Sequence, residues 1–297
     1  MKEKQIHHLK NGISLSSDFY DNKEKKGIFL FPGFTEHKQS LDSIAKKLSS
    51  EYKTWTFDLN SQGESTGNWN IKEMQESAYL AIKKIQKEHD LKKIGGFGNC
   101  VGGTFLGVLS AQDPEIIDCL CLTSTPAGLQ DVLPSQALNI LKYIPQSFLR
   151  QGTIMFDKIM TKTNTNYKQK THLQFKKNNK YQKHAQIGAT KITNIKNIIN
   201  AVKNAPRLED YAQQTTQPIL LIYGGEDTDV VKIKNGILPK NVRNMYDKIN
   251  TTNKHLLIIP GADHSLNEKT KMDDNFNQDK KYEFIKEEIK KHYQTYM

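Results

Sequence analysis

The 297-residue sequence predicts an α/β protein: a mostly parallel central sheet with helices on both faces. Three observations predict it. Short apolar runs alternate with helix-period segments in both halves of the chain. A glycine-rich turn stands between a strand and a helix near residue 100. The alternation stops over 126–212 and then resumes.

The elements follow in order. Gly27-Ile28-Phe29-Leu30-Phe31 reads as a buried strand ended by Pro32-Gly33. Residues 40–50 read as a helix, and Trp55 to Leu59 ends a second strand. Over 71–89, Met74, Ala78, Ile82 and Ile85 share one face of a long helix. A strand at 92–97, a helix at 101–111 and a strand at 116–122 follow. Residues 126–212 carry almost no strand signal. Helical stripes run from Leu133 to Phe148 and from Ile192 to Val202, with a polar, basic stretch between them. Strands at 218–223 and 255–259 and a charged helix from about 279 to 296 complete the pattern. The expected organisation is a core first part at 1–125, a helical insertion at 126–212 and a core second part at 213–297.

Composition excludes some classes. No apolar run approaches the roughly 18 residues of a membrane span. The polar start MKEKQIHHLKNG lacks the apolar region of a secretory signal. Cys100, Cys119 and Cys121 are odd in number, and two of them share one apolar run, so a disulfide framework is not expected. A reduced, cytoplasmic protein follows as the expectation. Net charge is +11, and residues 126–212 alone carry fourteen Lys or Arg against four Asp or Glu. The basicity is therefore local: it decorates a solvated face or gathers an anionic ligand. No zinc spacing or nucleic-acid module accompanies it, so neither metal nor nucleic acid is expected, and no cofactor motif is present.

The chemistry concentrates in Ile94-Gly95-Gly96-Phe97-Gly98-Asn99-Cys100-Val101-Gly102-Gly103-Thr104. A nucleophile on a sharp strand-to-helix turn needs small neighbours two residues away on either side, because backbone crowds there. Gly98 and Gly102 meet that need. The thiol would sit at a helix N-terminus, which favours thiolate. The alternatives are a buried structural cysteine or a phosphate loop, though the Walker spacing is absent.

This segment resembles the nucleophile elbow of the α/β-hydrolase superfamily, with Cys where most members carry Ser. Cys holds this place in dienelactone hydrolases and in polyhydroxyalkanoate synthases, whose box Cys100-Val101-Gly102-Gly103-Thr104 resembles. The superfamily order is nucleophile, acid, base. Downstream, Gly224-Gly225-Glu226-Asp227-Thr228-Asp229-Val230 resembles the acid loop, which implies Asp227, with Glu226 and Asp229 as rivals. Gly261-Ala262-Asp263-His264 resembles the catalytic-histidine loop and implies His264. Phe31-Pro32-Gly33-Phe34-Thr35-Glu36-His37 is similar to the His-Gly-x-Gly-Glu-His stretch of monoglyceride-lipase and lysophospholipase-like hydrolases, with Pro32 and Thr35 departing from it. By that match Phe34 N–H joins Val101 N–H as an oxyanion donor, while Glu36-His37 is structural. Asp58-Leu59-Asn60-Ser61-Gln62-Gly63-Glu64-Ser65-Thr66-Gly67 resembles a loop-shaping motif of the same branch. The resemblance covers both core parts and not 126–212, which takes the usual cap position. It implies a hydrolase of ester, lactone or thioester bonds acting on a small acyl substrate through an acyl-cysteine. An acyltransferase using the same intermediate and a non-catalytic binder are the alternatives.

Overall fold

The computed structural model describes residues 2–34, 36–132, 185–187, 190–192, 200–228, 230–266 and 278–297, with backbone alone at 185–187, 190–192 and 278–281. Eight strands form the main sheet: β1 (Lys2–His8), β2 (Ser14–Tyr20), β3 (Lys26–Phe31), β4 (Lys53–Phe57), β5 (Lys93–Asn99), β6 (Cys119–Thr123), β9 (Ile219–Gly224) and β10 (Lys254–Ile259). Their order is β1-β2-β4-β3-β5-β6-β9-β10. β1 pairs antiparallel with β2, and β2 antiparallel with β4, while the six strands from β4 to β10 run parallel. The expected α/β architecture is therefore the one observed.

Two core layers sandwich the sheet. On one face lie α2 (Ile71–Glu88), α3 (Val101–Gln112) and α5 (Lys240–Lys248), which place Met74, Ala78, Ile82, Phe105, Leu109, Val242 and Met245 in one cluster. On the other lie α1 (Asp42–Leu48) and α6 (Gln278–Tyr296), with Ile44, Leu48, Ile285, Ile289 and Tyr293. Alternation along β3 sends Phe29 and Phe31 to the first layer, Ile28 and Leu30 to the second. A one-turn helix, α4 (Leu208–Tyr211), packs against α3 and α5.

Five elements depart from the expectation. β1 and β2 were not predicted. β1 is an edge strand with mostly exposed side chains, and β2 buries Ser16, Ser17 and Asp18, so neither shows an apolar run. α5 was not predicted because only Val242 and Met245 are buried. Within 126–212 an antiparallel ribbon pairs β7 (Ala185–Ile187) with β8 (Thr190–Ile192), where only helix was expected. The two-residue Gly188-Ala189 connection in the sequence is the hairpin signal that explains it. Residue boundaries also shift. Asp58 and Leu59 leave the strand for a loop, and Ile116 and Ile117 precede β6 as buried turn residues. The stripe from Leu133 to Phe148 and most of that from Ile192 to Val202 lie outside the described residues.

Candidate functional site

The C-terminal ends of the six parallel strands share one edge of the sheet, the place where α/β folds gather ligand-binding loops. β5 ends at Asn99, and α3 starts at Val101. Between them Cys100 takes φ 50° and ψ −113°, a conformation that costs a side-chain-bearing residue energy. It is held there by its own N–H, which donates to the Thr123 carbonyl at 2.9 Å, and by its carbonyl, which accepts from Thr104 N–H at 3.0 Å. The two flanking glycines are sterically required. A Cβ on Gly98 would lie 2.5 Å from Gly103 Cα, and one on Gly102 would lie 2.4 Å from the Phe31 carbonyl oxygen. Both are backbone clashes that no rotamer relieves.

Asp227 follows β9 and is fully buried. Its Oδ1 accepts from the N–H groups of Val230, at 3.2 Å, and Val231, at 3.1 Å. Its Oδ2 stands 2.7 Å from His264 Nδ1. His264, on the loop after β10, is half-buried and lies close enough to the Cys100 side chain for the two to interact. Burial pulls the imidazolium down, but interaction with Cys100 and the bond to and charge of Asp227 outweigh it and push His264 up to about 10. The rival Glu226 is engaged elsewhere: its Oε1 accepts from Asn235 N–H at 2.9 Å. The other rival, Asp229, lies outside the described residues, as does Thr35.

The loop after β3 brings Gly33 against the thiol: a Cβ on Gly33 would lie 3.3 Å from Cys100 Cβ. Phe34 is the next residue, its ring edge-on to Trp69 at 4.8 Å. Val101 N–H opens α3, where the first turn has no intrahelical acceptors. The loop after β4 is clamped to this region by Lys38. Its buried Nζ bonds Asp58 Oδ2 at 2.8 Å, Glu64 Oε2 at 2.6 Å and Ser16 Oγ at 2.9 Å, while Lys38 N–H donates to Asp58 Oδ1. Asp58-to-Gly67 thus shapes a loop, as expected.

Glu36, marked in the sequence as structural, meets partners that carry no signal there. Glu36 Oε2 accepts from Gly33 N–H and from Asn99 Nδ2, both at 3.0 Å. Thr123 Oγ1 donates to Asn99 Oδ1 at 3.0 Å, and Ser124 Oγ donates to the His264 carbonyl at 2.7 Å. Only their position at strand C-termini could have marked Asn99, Thr123 and Ser124.

Cys100, His264 and Asp227 therefore stand in line, with His264 bonded to Asp227 and next to Cys100. Such a line can move a proton from sulfur to ring and hold the resulting imidazolium. Among the described residues no group of three or more His, Cys, Asp or Glu side chains is arranged to hold a metal, and no helix is long and apolar enough to cross a membrane.

The sequence model of the family described as "Serine aminopeptidase, S33" matches residues 22–270. No curated protein sequence matches the chain. Solved structures do. An esterase of Pyrococcus furiosus gives a TM-score of 0.66 at 15% identity, covering 100% of this chain and 92% of its own. A monoacylglycerol lipase of Paleococcus ferrophilus gives 0.62 at 14%, covering 94% and 99%. DcsB in complex with its substrate analogue gives 0.69 at 14%, covering 100% of both chains. At these identities the likeness is one of fold.

Proposed function

From a chain that belongs to the serine aminopeptidase S33 family of α/β hydrolases, we propose an enzyme that hydrolyses carboxylic ester, lactone or thioester bonds with Cys100 as nucleophile. The observation that carries this is the Asp227 Oδ2–His264 Nδ1 bond at 2.7 Å, with Cys100 beside His264 at the C-terminal edge of β5, β9 and β10. The Cys100 thiolate attacks the acyl carbon, and a tetrahedral oxyanion forms facing the N–H groups of Phe34 and Val101. Collapse expels the alcohol or thiol, which takes the His264 proton, and leaves an acyl-cysteine. Water then attacks this thioester, giving its proton to His264 and returning the enzyme with a free acid. Asp227 holds the ring tautomer and the imidazolium throughout.

A thioester intermediate also suits acyl transfer, with an amine or alcohol replacing water. The basic segment 126–212 is read as a cap over the site, which favours an acyl substrate bearing an anionic group. The test is a panel of short- and long-chain acyl esters and acyl-thioesters with wild type and Cys100→Ala. Release of free acid by wild type alone, without added acceptor, is the expected result. Product only with an added amine or alcohol assigns transfer. Equal turnover by both proteins removes the cysteine mechanism, and tight binding without turnover leaves a binding protein.

A further inference from the structure

The Glu36 carboxylate links two loops that the reaction must keep in register. Its Oε2 accepts from Gly33 N–H at 3.0 Å, Asn99 Nδ2 at 3.0 Å and Ser40 Oγ at 3.4 Å. Asn99 passes the connection on, since its Oδ1 accepts from Thr123 Oγ1 at 3.0 Å. The Thr123 carbonyl in turn accepts Cys100 N–H at 2.9 Å. Gly33 closes the circuit against Cys100, with a Cβ at Gly33 falling 3.3 Å from Cys100 Cβ. The circuit Gly33–Glu36–Asn99–Thr123–Cys100 thus joins the loop that carries Phe34 to the turn that carries the thiol.

We propose that Glu36 and Asn99 form a latch that sets the distance between the Phe34 N–H and Cys100, and so act as positioning residues for the oxyanion; this rests on the hydrolase reading above. The bond directions explain the residue types. An ionised carboxylate only accepts, so Asn99 must turn its NH2 to Glu36 and its carbonyl to the Thr123 hydroxyl. A carboxylate at position 99 would face the Glu36 carboxylate directly. A methyl there would leave Glu36 and Thr123 without these partners. The amide of Asn99 is therefore a bridge, and the middle residue of Gly-Asn-Cys is more than a spacer.

The latch makes a swap prediction. Asn99→Asp alone should lower kcat about 100-fold, the scale of a misplaced or missing oxyanion donor. Glu36→Gln alone should cost only severalfold, because the amide oxygen still accepts. Combining Glu36→Gln with Asn99→Asp removes the repulsion between two facing carboxylates. The carbonyl of the new amide can keep the Gly33 N–H, but one oxygen takes both bonds in the wild type, so no second atom replaces the bond to the new carboxylate at position 99. That carboxylate still accepts from the Thr123 hydroxyl. The double variant should recover severalfold over Asn99→Asp through that relief, as expected for directly coupled residues. KM should move far less than kcat in all three. The uncharged variant Asn99→Ala supplies a readout that a general structural role would not spare. Iodoacetamide alkylates sulfur without forming an oxyanion, so Cys100 labelling should stay within about twofold of wild type while kcat falls.

A double variant no better than Asn99→Asp, or labelling that falls in step with kcat, overturns the latch. Undiminished ester turnover by Cys100→Ala overturns the cysteine-nucleophile reading instead. In that case urea unfolding of wild type, the two single swap variants and the double variant still tests the latch: their effects must be non-additive, and additive effects would overturn it.

Discussion

Cys100 keeps a left-handed backbone at φ 50°, and a bond at each end of the residue fixes it. Strain of this kind, about 1–3 kcal/mol, persists only where the surroundings over-determine it. Cys119 and Cys121 sit in the opposite layer, fully buried, and burial pushes both of those thiols up. Iodoacetamide should therefore modify Cys100 first, and peptide mapping of partly labelled protein checks this. Cys100→Ala should abolish turnover and keep a folded circular-dichroism spectrum, whereas Cys100→Ser should retain some activity. Asp227→Asn presents an amide donor to His264 Nδ1 and stabilises the wrong tautomer. It should cost on the order of 10^4-fold in kcat with little change in KM, measured by steady-state kinetics. These three residues are legible because each sits in a short stretch of local sequence whose glycines have a steric reason. Glu36 to Asn99 is not legible, because 63 residues separate the two ends of one hydrogen bond.

Among elements, β3, β6 and β9 are the most legible strands, since each is buried on both faces and reads as a nearly continuous apolar run. β1, β2 and α5 break that rule for physical reasons: an exposed edge, a strand whose buried positions are polar, and a helix with two core contacts. Ser16 of β2 belongs to the Lys38 clamp, where it meets the ammonium together with Asp58 and Glu64. Burial pulls Lys38 down, but Asp58 and Glu64 outweigh it and leave the ammonium raised. Lys38→Ala would strand the buried Asp58 carboxylate, so it should lose about 3–5 kcal/mol of stability in urea unfolding. Removing the exposed Lys25–Asp90 pair should leave the urea midpoint nearly unchanged. If the two substitutions cost the same, the clamp is only a surface ion pair.

At the scale of the molecule, the sequence shows where the charge lies but not which titratable groups the fold buries. Ten of the eleven net positive charges fall in 126–212. If they steer an anionic substrate, kcat/KM should fall with added salt while kcat holds, and Lys176, Lys177 and Lys180 changed to Glu should act the same way. A flat salt response would leave the lysines as surface decoration. Stability should follow a different set of groups. His7 on β1 is buried and hydrogen-bonded to Ser17 Oγ at 2.8 Å. His292 on α6 is buried, and its Nε2 donates to the Leu120 carbonyl at 2.8 Å. Burial holds both imidazoles down at about 4. Unfolded, each would titrate near 6.5, so between about 6.5 and 4 the unfolded chain binds more protons. Their contribution is complete above about 6.5 and drains as pH falls. By pH 5 each should have lost on the order of 2 kcal/mol, a large share of a marginal total. His264 has the opposite sign. Pushed up to about 10, it contributes fully below 6.5, and that contribution is lost as pH rises through 10. The acid limb is therefore assigned to His7 and His292 and not to the active-site imidazole. His292→Gln keeps a donor for Leu120 and removes the proton site, as His7→Gln does beside Ser17. Urea midpoints of the double variant should vary less between pH 6.5 and 4 than those of wild type. An unchanged slope would place the acid sensitivity elsewhere, in carboxylates such as Glu64, which Lys38 and Lys4 hold at about 2 against the opposing effect of burial.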